Sequence, residues 1–572
     1  MFKTFLLLVL LGVNAFWAID PCVVQLNSKT RAVGIRNVTF TGTPHCVYLG
    51  VRYALPPKGT RRFWNPELYT PRGSQNYTTF GSICPQWEDM SKEGEKLVGD
   101  EDCLFMNMYV PKNRKSKQQK YPVLVYLHGG SYLVGSAENY SIFGVDLLID
   151  NEVLVIAVNY RLYVLGFLRV PEWNVTGNFG LKDQRAALQW IQRYIADFGG
   201  DPDRVTLMGH SAGAASAAHH LYSASSRGLF HRLILIGGTN INPFAFRRVE
   251  VPNMSEKLKT RFNVSSLEEL QQVHISELYG ARILRDVFFF NDVISYFTPN
   301  LEDPADPEAV IAESPYELVQ RKPANQVPIM MGLTATEMEK IQFKRNEFFV
   351  GKKVPMKHEQ VVPNIYKLVA HELKSIEFAT FVGKLLNMVS AYYPMKRLAR
   401  QLLDCENDQP LYYFRFEYDG RFGYSKRELS KGMIREHFYG AVHGDDLAYV
   451  FSPYIVREAL ANRSAFRDEW KVHKRMVELV TNFVKFGNPT PAEKSSDVFW
   501  PPYNRGNTTE RRYLNMDKEF EVRIERDDQD YYYQFWESIY QCLFYFDCDA
   551  MDARVRELPE GDYSDKRFTN YR

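Results

Sequence analysis

Three short apolar runs carry the reading of this chain: Pro122-Val-Leu-Val-Tyr-Leu127, Arg204-Val-Thr-Leu-Met208 and Val327-Pro-Ile-Met-Met331. Runs of this length without polar alternation predict strands buried on both faces of a sheet, since a half-exposed strand would alternate. The second run leads through a glycine-bounded turn into Ala214–Leu221, an alanine-rich stretch of good helix propensity, so strand, turn and helix are expected in that order. From about Pro252 to Tyr296, charged and apolar residues mix at helical spacing, which predicts a helical cap, with Phe288-Phe289-Phe290 packed inside it or lining a pocket. Near the start, Lys3 precedes the apolar run Phe5–Val13, with small residues at Ala15 and Ala18. That run is too short to cross a bilayer and reads as a cleaved leader over residues 1–18, its cut site ambiguous.

The turns after these strands hold the candidate chemistry. Gly209-His210-Ser211-Ala212-Gly213 places a serine between a strand and a helix N-terminus, where a sharp turn exposes its hydroxyl and the helix favours developing negative charge. A serine alone is a poor nucleophile; it needs a base, an orienting acid and donors for an oxyanion. The first strand runs into His128-Gly129-Gly130-Ser131, whose glycine N–H groups are candidate donors together with that of Ala212. Of twelve histidines, His443 stands out in the glycine-bounded loop Gly440-Ala-Val-His-Gly444. Glu337 follows the third strand in the loop Gly332–Glu337 and should emerge at the same sheet end as Ser211, although spacing alone barely separates it from Glu339.

The chain resembles the type-B carboxylesterase and cholinesterase family of α/β-hydrolases along nearly all its length. Tyr48–Pro57 with Arg62-Phe63, Glu101-Asp-Cys-Leu104 with Asn107–Pro111, Asn159-Tyr-Arg161 with Gly166-Phe167, Gly177–Gln184 and Phe198–Pro202 are similar to the family's ordered segments. The resemblance implies an α/β fold: a large, mostly parallel central sheet with helices on both faces and a helical cap. It also implies Ser211 as nucleophile, His443 as base, Glu337 as acid, and Gly129, Gly130 and Ala212 as the oxyanion hole. Asp446 is expected to pin the histidine loop. A Cys84–Cys103 disulfide is implied as well. Three positions depart from the family pattern: His210 stands where cholinesterases have glutamate, Met338 follows the acid where glycine is common, and Ile236-Gly237-Gly238 lacks a helper serine. The His210 departure argues against a cationic choline substrate.

Composition narrows the setting. Hydrophobic residues make up 45% and aromatics 14%, enough for a substantial core, and a formal charge of +2 gives no reason to expect nucleic acid or acidic membranes as partners. No repeat, linker or low-complexity tract divides the chain, so residues 19–572 are expected to form a single domain. N-x-S/T sequons at Asn37, Asn76, Asn139, Asn174, Asn253, Asn263, Asn462 and Asn507 point to a secreted glycoprotein. Seven cysteines fit an oxidising compartment; Cys542 and Cys548 are spaced to close a small loop, while Cys22, Cys46 and Cys405 have no assignable pairing. No later segment reads as a membrane span, and the C-terminus carries no retention signal or lipid-anchor tail. No metal or cofactor is expected. The expectation is therefore a secreted serine carboxylesterase acting on a small ester, of unassigned oligomeric state. The alternatives are a catalytically silent adhesion-type ectodomain and a juvenile-hormone-esterase-like enzyme, although the latter typically has glutamine at the place of His210.

Overall fold

The computed structural model describes residues 22–88, 96–113, 116, 118–138, 144–247, 253–280, 297–337, 364, 367–368, 371, 387–405, 408–423, 440–453, 456, 459, 464–494, 497–503, 510–526, 529–545 and 547–559. The leader, Phe288–Phe290, Met338 and Glu339 lie outside them, as do the sequons at Asn139, Asn462 and Asn507.

An 11-stranded sheet forms the frame. Its spatial order begins with Phe520–Arg526, Glu510–Met516, Leu411–Phe416, Ile329–Thr334, Arg232–Ile236 and Gly200–His210. It continues through Tyr121–Leu127, Leu154–Val158, Phe105–Pro111 and Pro44–Arg52 to Ile35–Val38. From Leu154–Val158 across to Glu510–Met516 the neighbours run parallel; pairing is antiparallel at both margins.

The three apolar runs are the central strands, and the reason is visible in the cores. In Tyr121–Leu127, Val123, Val125 and Leu127 enter one hydrophobic layer while Leu124 and Tyr126 enter the other. Leu154–Val158 divides in the same way, Leu154, Ile156 and Val158 against Val155 and Ala157. Both faces of these strands are covered, which removes the polar alternation an exposed face would impose. Helices Phe179–Tyr194, Ala212–Tyr222 and Tyr393–Asp404 supply apolar residues to the first layer. Arg467–Phe486 covers the second with Val472, Met476, Val480 and Phe483, a spacing of three to four residues that keeps one helix face on the sheet. The cap stretch contributes helices Met254–Phe262, Leu267–Gln272 and Ile275–Gly280 among the described residues. Ser266 caps the second of these by accepting a hydrogen bond from the Glu269 N–H at 3.3 Å.

The family-like segments are held as buried ion pairs. Arg161 donates from Nε and from a terminal nitrogen to the two carboxylate oxygens of Asp183, both at 2.7 Å, and neither side chain reaches solvent to any extent. Arg62 grips Glu101 in the same two-pronged way and also donates to the Val273 carbonyl, joining the N-terminal region to the cap.

Disulfides join Cys84 to Cys103 and Cys542 to Cys548, and Cys22 to Cys46, a pairing for which the spacing had no signal. Cys405 is a free, half-buried thiol. Among the described residues no helix is long and apolar enough to cross a membrane.

Candidate active site

The serine turn is forced by crowding. Ser211 has φ 56° and ψ −123°, a left-handed, strained conformation for a residue with a side chain. The glycines around it have no alternative: a Cβ on Gly209 would lie 2.1 Å from the Gly213 carbonyl oxygen, and one on Gly213 would lie 2.1 Å from that of Leu127. The strand therefore turns at Ser211 directly into the helix Ala212–Tyr222, and the Ser211 N–H bonds the Ile236 carbonyl at 2.9 Å. The hydroxyl stands at the carboxyl end of the parallel strands, where open α/β sheets bind ligands.

Beside it, the loop after Tyr121–Leu127 carries the glycine pair. Gly129 packs so closely on the serine that a Cβ there would meet the Ser211 Cβ at 2.8 Å. Gly130 has φ 111°, and Ser131 and Tyr132 also take positive φ, which curls the loop. The N–H groups of Gly129 and Gly130 form no hydrogen bond within the described residues. That of Ala212 opens its helix, where no intrahelical acceptor exists. The loop is braced from behind. His128 stacks on Tyr160 at 4.4 Å and 15°, its Nδ1 donates to the Gly129 carbonyl at 2.8 Å, and Tyr160 donates to the His128 carbonyl at 2.6 Å. Burial pushes the His128 imidazole down to about 4, so it is neutral at ordinary pH.

Glu337 and His443 meet directly. Nδ1 of His443 donates to one carboxylate oxygen of Glu337, the Thr334 N–H donates to the other at 2.7 Å, and the His443 N–H bonds the Glu337 carbonyl at 3.0 Å. Glu337 is buried at the end of Ile329–Thr334, whereas the His443 side chain is 22% exposed. Burial pulls the His443 imidazole down, but the charge and hydrogen bond of Glu337, with Asp446 and Asp445 behind them, outweigh it and hold the ring above its ordinary value.

Two glycines link this pair to the serine. A Cβ on Gly237 (φ 61°) would come within 3.1 Å of His443 Nδ1 and 3.2 Å of a Glu337 carboxylate oxygen. One on Gly238 would lie 2.3 Å from the Ser211 carbonyl oxygen. Of the two glycines noted for a missing hydroxyl, Gly238 has no room for a side chain, and Gly237 combines a tight fit with a positive φ that side chains rarely adopt. The His210 ring, next to Ser211 in sequence, sits 4.5 Å from the His443 ring. Ser211, Glu337, His443, Gly129, Gly130 and Ala212 accordingly share one rim of the sheet.

One expectation is corrected. The histidine loop is pinned by Asp445, whose carboxylate accepts the Val442 N–H at 3.0 Å, and by Thr336, whose N–H and hydroxyl both reach the Ala441 carbonyl. The carboxyl of Asp446 is fully buried and makes no hydrogen bond among the described residues. Two adjacent carboxylates in His443-Gly-Asp-Asp-Leu447 have no sequence signal to tell the pin from its neighbour. Trp87 is buried edge-on against Tyr163 and Tyr279 as part of the core. No group of three or more His, Cys, Asp or Glu side chains among the described residues is arranged to hold a metal ion.

A mostly parallel sheet with a strained serine at its centre and an acid–imidazole pair at the same rim defines an α/β-hydrolase. Comparison with known sequences narrows the class: residues 21–536 match the carboxylesterase family, and the chain belongs to that family of carboxylic ester hydrolases. It is similar to a carboxylic ester hydrolase of Bombus ignitus, 27% identical over 93% of this chain and 97% of the relative. It is likewise similar to esterase E4 of Myzus persicae, 30% identical over 87% and 92%, and to the juvenile hormone esterase of Heliothis virescens, 30% identical over 84% and 89%.

Proposed function

We propose that the protein hydrolyses small carboxylic esters through an acyl-enzyme on Ser211. His443, oriented by Glu337, takes the hydroxyl proton as Ser211 attacks the carbonyl carbon, and the carbonyl oxygen moves into the donors of Gly129, Gly130 and Ala212. The tetrahedral adduct collapses as His443 protonates the leaving alcohol. Water then attacks the acyl-serine by the same route and releases the acid. The observation that carries this reading is the hydrogen bond from His443 Nδ1 to the buried carboxylate of Glu337, with the ring beside the serine turn. It sets the imidazole tautomer whose unprotonated Nε2 is a base.

The chain is read as a leader over residues 1–18 followed by one catalytic domain over 19–572, secreted and glycosylated. Asn37, Asn76, Asn174, Asn253 and Asn263 are exposed, as glycan attachment requires, and the disulfides suit an oxidising compartment.

The test is turnover of a simple aryl ester by the purified protein and by Ser211→Ala. The expected result is saturable hydrolysis that falls by about 10⁶-fold in kcat in the variant, the scale of nucleophile removal in a serine hydrolase. Equal rates in the two proteins, or none in either, would overturn the reading and favour a silent binding ectodomain.

A further inference from the structure

His210 ends the strand Gly200–His210 and is drawn into none of the steps above, yet it touches most of the parts they use. Its ring and that of His443 lie 4.5 Å apart with their planes tilted by 31°. A Cβ on Gly129 would meet the His210 carbonyl oxygen at 2.8 Å and its Nδ1 at 3.2 Å, so the other side of the residue abuts the oxyanion loop. The residue is 9% exposed, and its Nε2 makes no hydrogen bond among the described residues.

The physical need for such a ring follows from the geometry of the base. The hydrogen bond from Nδ1 to Glu337 fixes one edge of the His443 imidazole, and the orientation of the ring about that edge is set by what packs against its face. The flat ring of His210, 4.5 Å away, is such a contact. Gly237, which also abuts the dyad, has no side chain to make one. Resting on the catalytic reading above, we propose that His210 is a positioning residue, the wall against which the imidazole of His443 is held so that Nε2 stays aimed at Ser211.

The wall is also electrically quiet. Among the described residues, the titratable groups facing His443 include Glu337 from the acid loop, Asp445 and Asp446 from its own loop, and His210 from the serine strand. Burial, and then the neighbouring His443, push the His210 imidazole well below its ordinary value, so it carries no charge while His443 titrates. An acid in its place would favour the imidazolium form and remove base from the free enzyme at neutral pH.

The experiment compares the full-length protein with His210→Ala, His210→Phe and His210→Glu on one aryl ester across pH, with thermal unfolding to register folding. His210→Ala should lose about 10- to 100-fold in kcat with KM little changed, the size of effect produced by a catalytic group displaced by about an ångström. His210→Phe, which restores a flat face without a titratable nitrogen, should return to within about threefold of the natural protein, well above the alanine variant. His210→Glu should move the acid limb of kcat/KM upward by about one pH unit, as a carboxylate 4–6 Å from an imidazole does. Full kcat in the alanine variant, a phenylalanine variant as impaired as alanine, or an unmoved limb in the glutamate variant would each overturn the proposal. Should the alanine variant fail to fold, the other two still decide it. A natural protein with no turnover would sink the catalytic reading, and the proposal with it; intact wild-type turnover with any of those three outcomes sinks the proposal alone.

Discussion

Two sets of buried polar groups in this molecule differ in how completely they are satisfied. Arg161 and Asp183 close a two-pronged pair, as do Arg62 and Glu101, and a further nitrogen of each arginine donates to a main-chain carbonyl. At the rim, the carboxyl of Asp446 and the Nε2 of His210 are buried without a hydrogen bond among the described residues, and Ser211 holds a strained backbone. The first set resembles an ordinary structural interior, where buried polar groups are paired. The second leaves interaction unspent beside the reacting atoms, the arrangement expected where a site must change charge during a reaction. Family-like segments fall in both sets, so similarity alone does not separate scaffold from chemistry.

Substitutions that act on one set and spare the other sharpen this contrast. The largest effect is expected at the rim. Glu337→Gln keeps the shape but loses the charge and the correct imidazole tautomer, and kcat should fall by about 10⁴-fold with the unfolding midpoint nearly unchanged. In the scaffold the signs reverse. Asp183→Asn strands the Arg161 guanidinium in a buried site and should cost about 3–5 kcal/mol of stability, with kcat of the surviving folded fraction close to normal. Denaturant unfolding alongside active-site titration checks both variants. If Asp183→Asn lowers kcat per active site as far as Glu337→Gln, the division fails. Replacing Cys84 and Cys103 by serine should cost about 3 kcal/mol through loop entropy, again with activity kept below the unfolding transition.

A smaller effect concerns pH. The base must be neutral in the free enzyme, and Glu337 holds the imidazolium form of His443 in favour, so kcat/KM should rise with pH through a limb above about 6.5. Burial and the Glu337 charge push Asp446 well above the usual carboxylate range, while the Asp446 charge acts to raise His443. Asp446→Asn fixes the neutral form and should lower the limb; an upward shift would contradict the account.

Most of the frame was legible from runs of apolar residues, because central strands covered on both faces have no polar positions to disguise them. The order of serine, acid and histidine was legible too, since each follows a strand or a glycine-bounded loop. Other features depend on distances that no local pattern encodes. Gly237 is favoured as glycine because its φ is 61° and the folded histidine loop and acid come within 3.1–3.2 Å of where a Cβ would stand. The exchange of roles between Asp445 and Asp446 depends on which carboxylate turns back toward the Val442 N–H, a matter of one residue in register. Cys22 and Cys46 meet because Pro44–Arg52 passes the N-terminal segment on its way into the sheet, a tertiary fact without sequence spacing.

The central claim is that Ser211 is activated by the histidine and acid across the rim. Its most direct test is intact-protein mass after exposure to an organophosphate, followed by peptide mapping of the adduct. The account predicts one phosphoryl group per chain, on Ser211, absent from Ser211→Ala and formed far more slowly in Glu337→Gln. An unmodified protein, or an adduct on another residue, would contradict it.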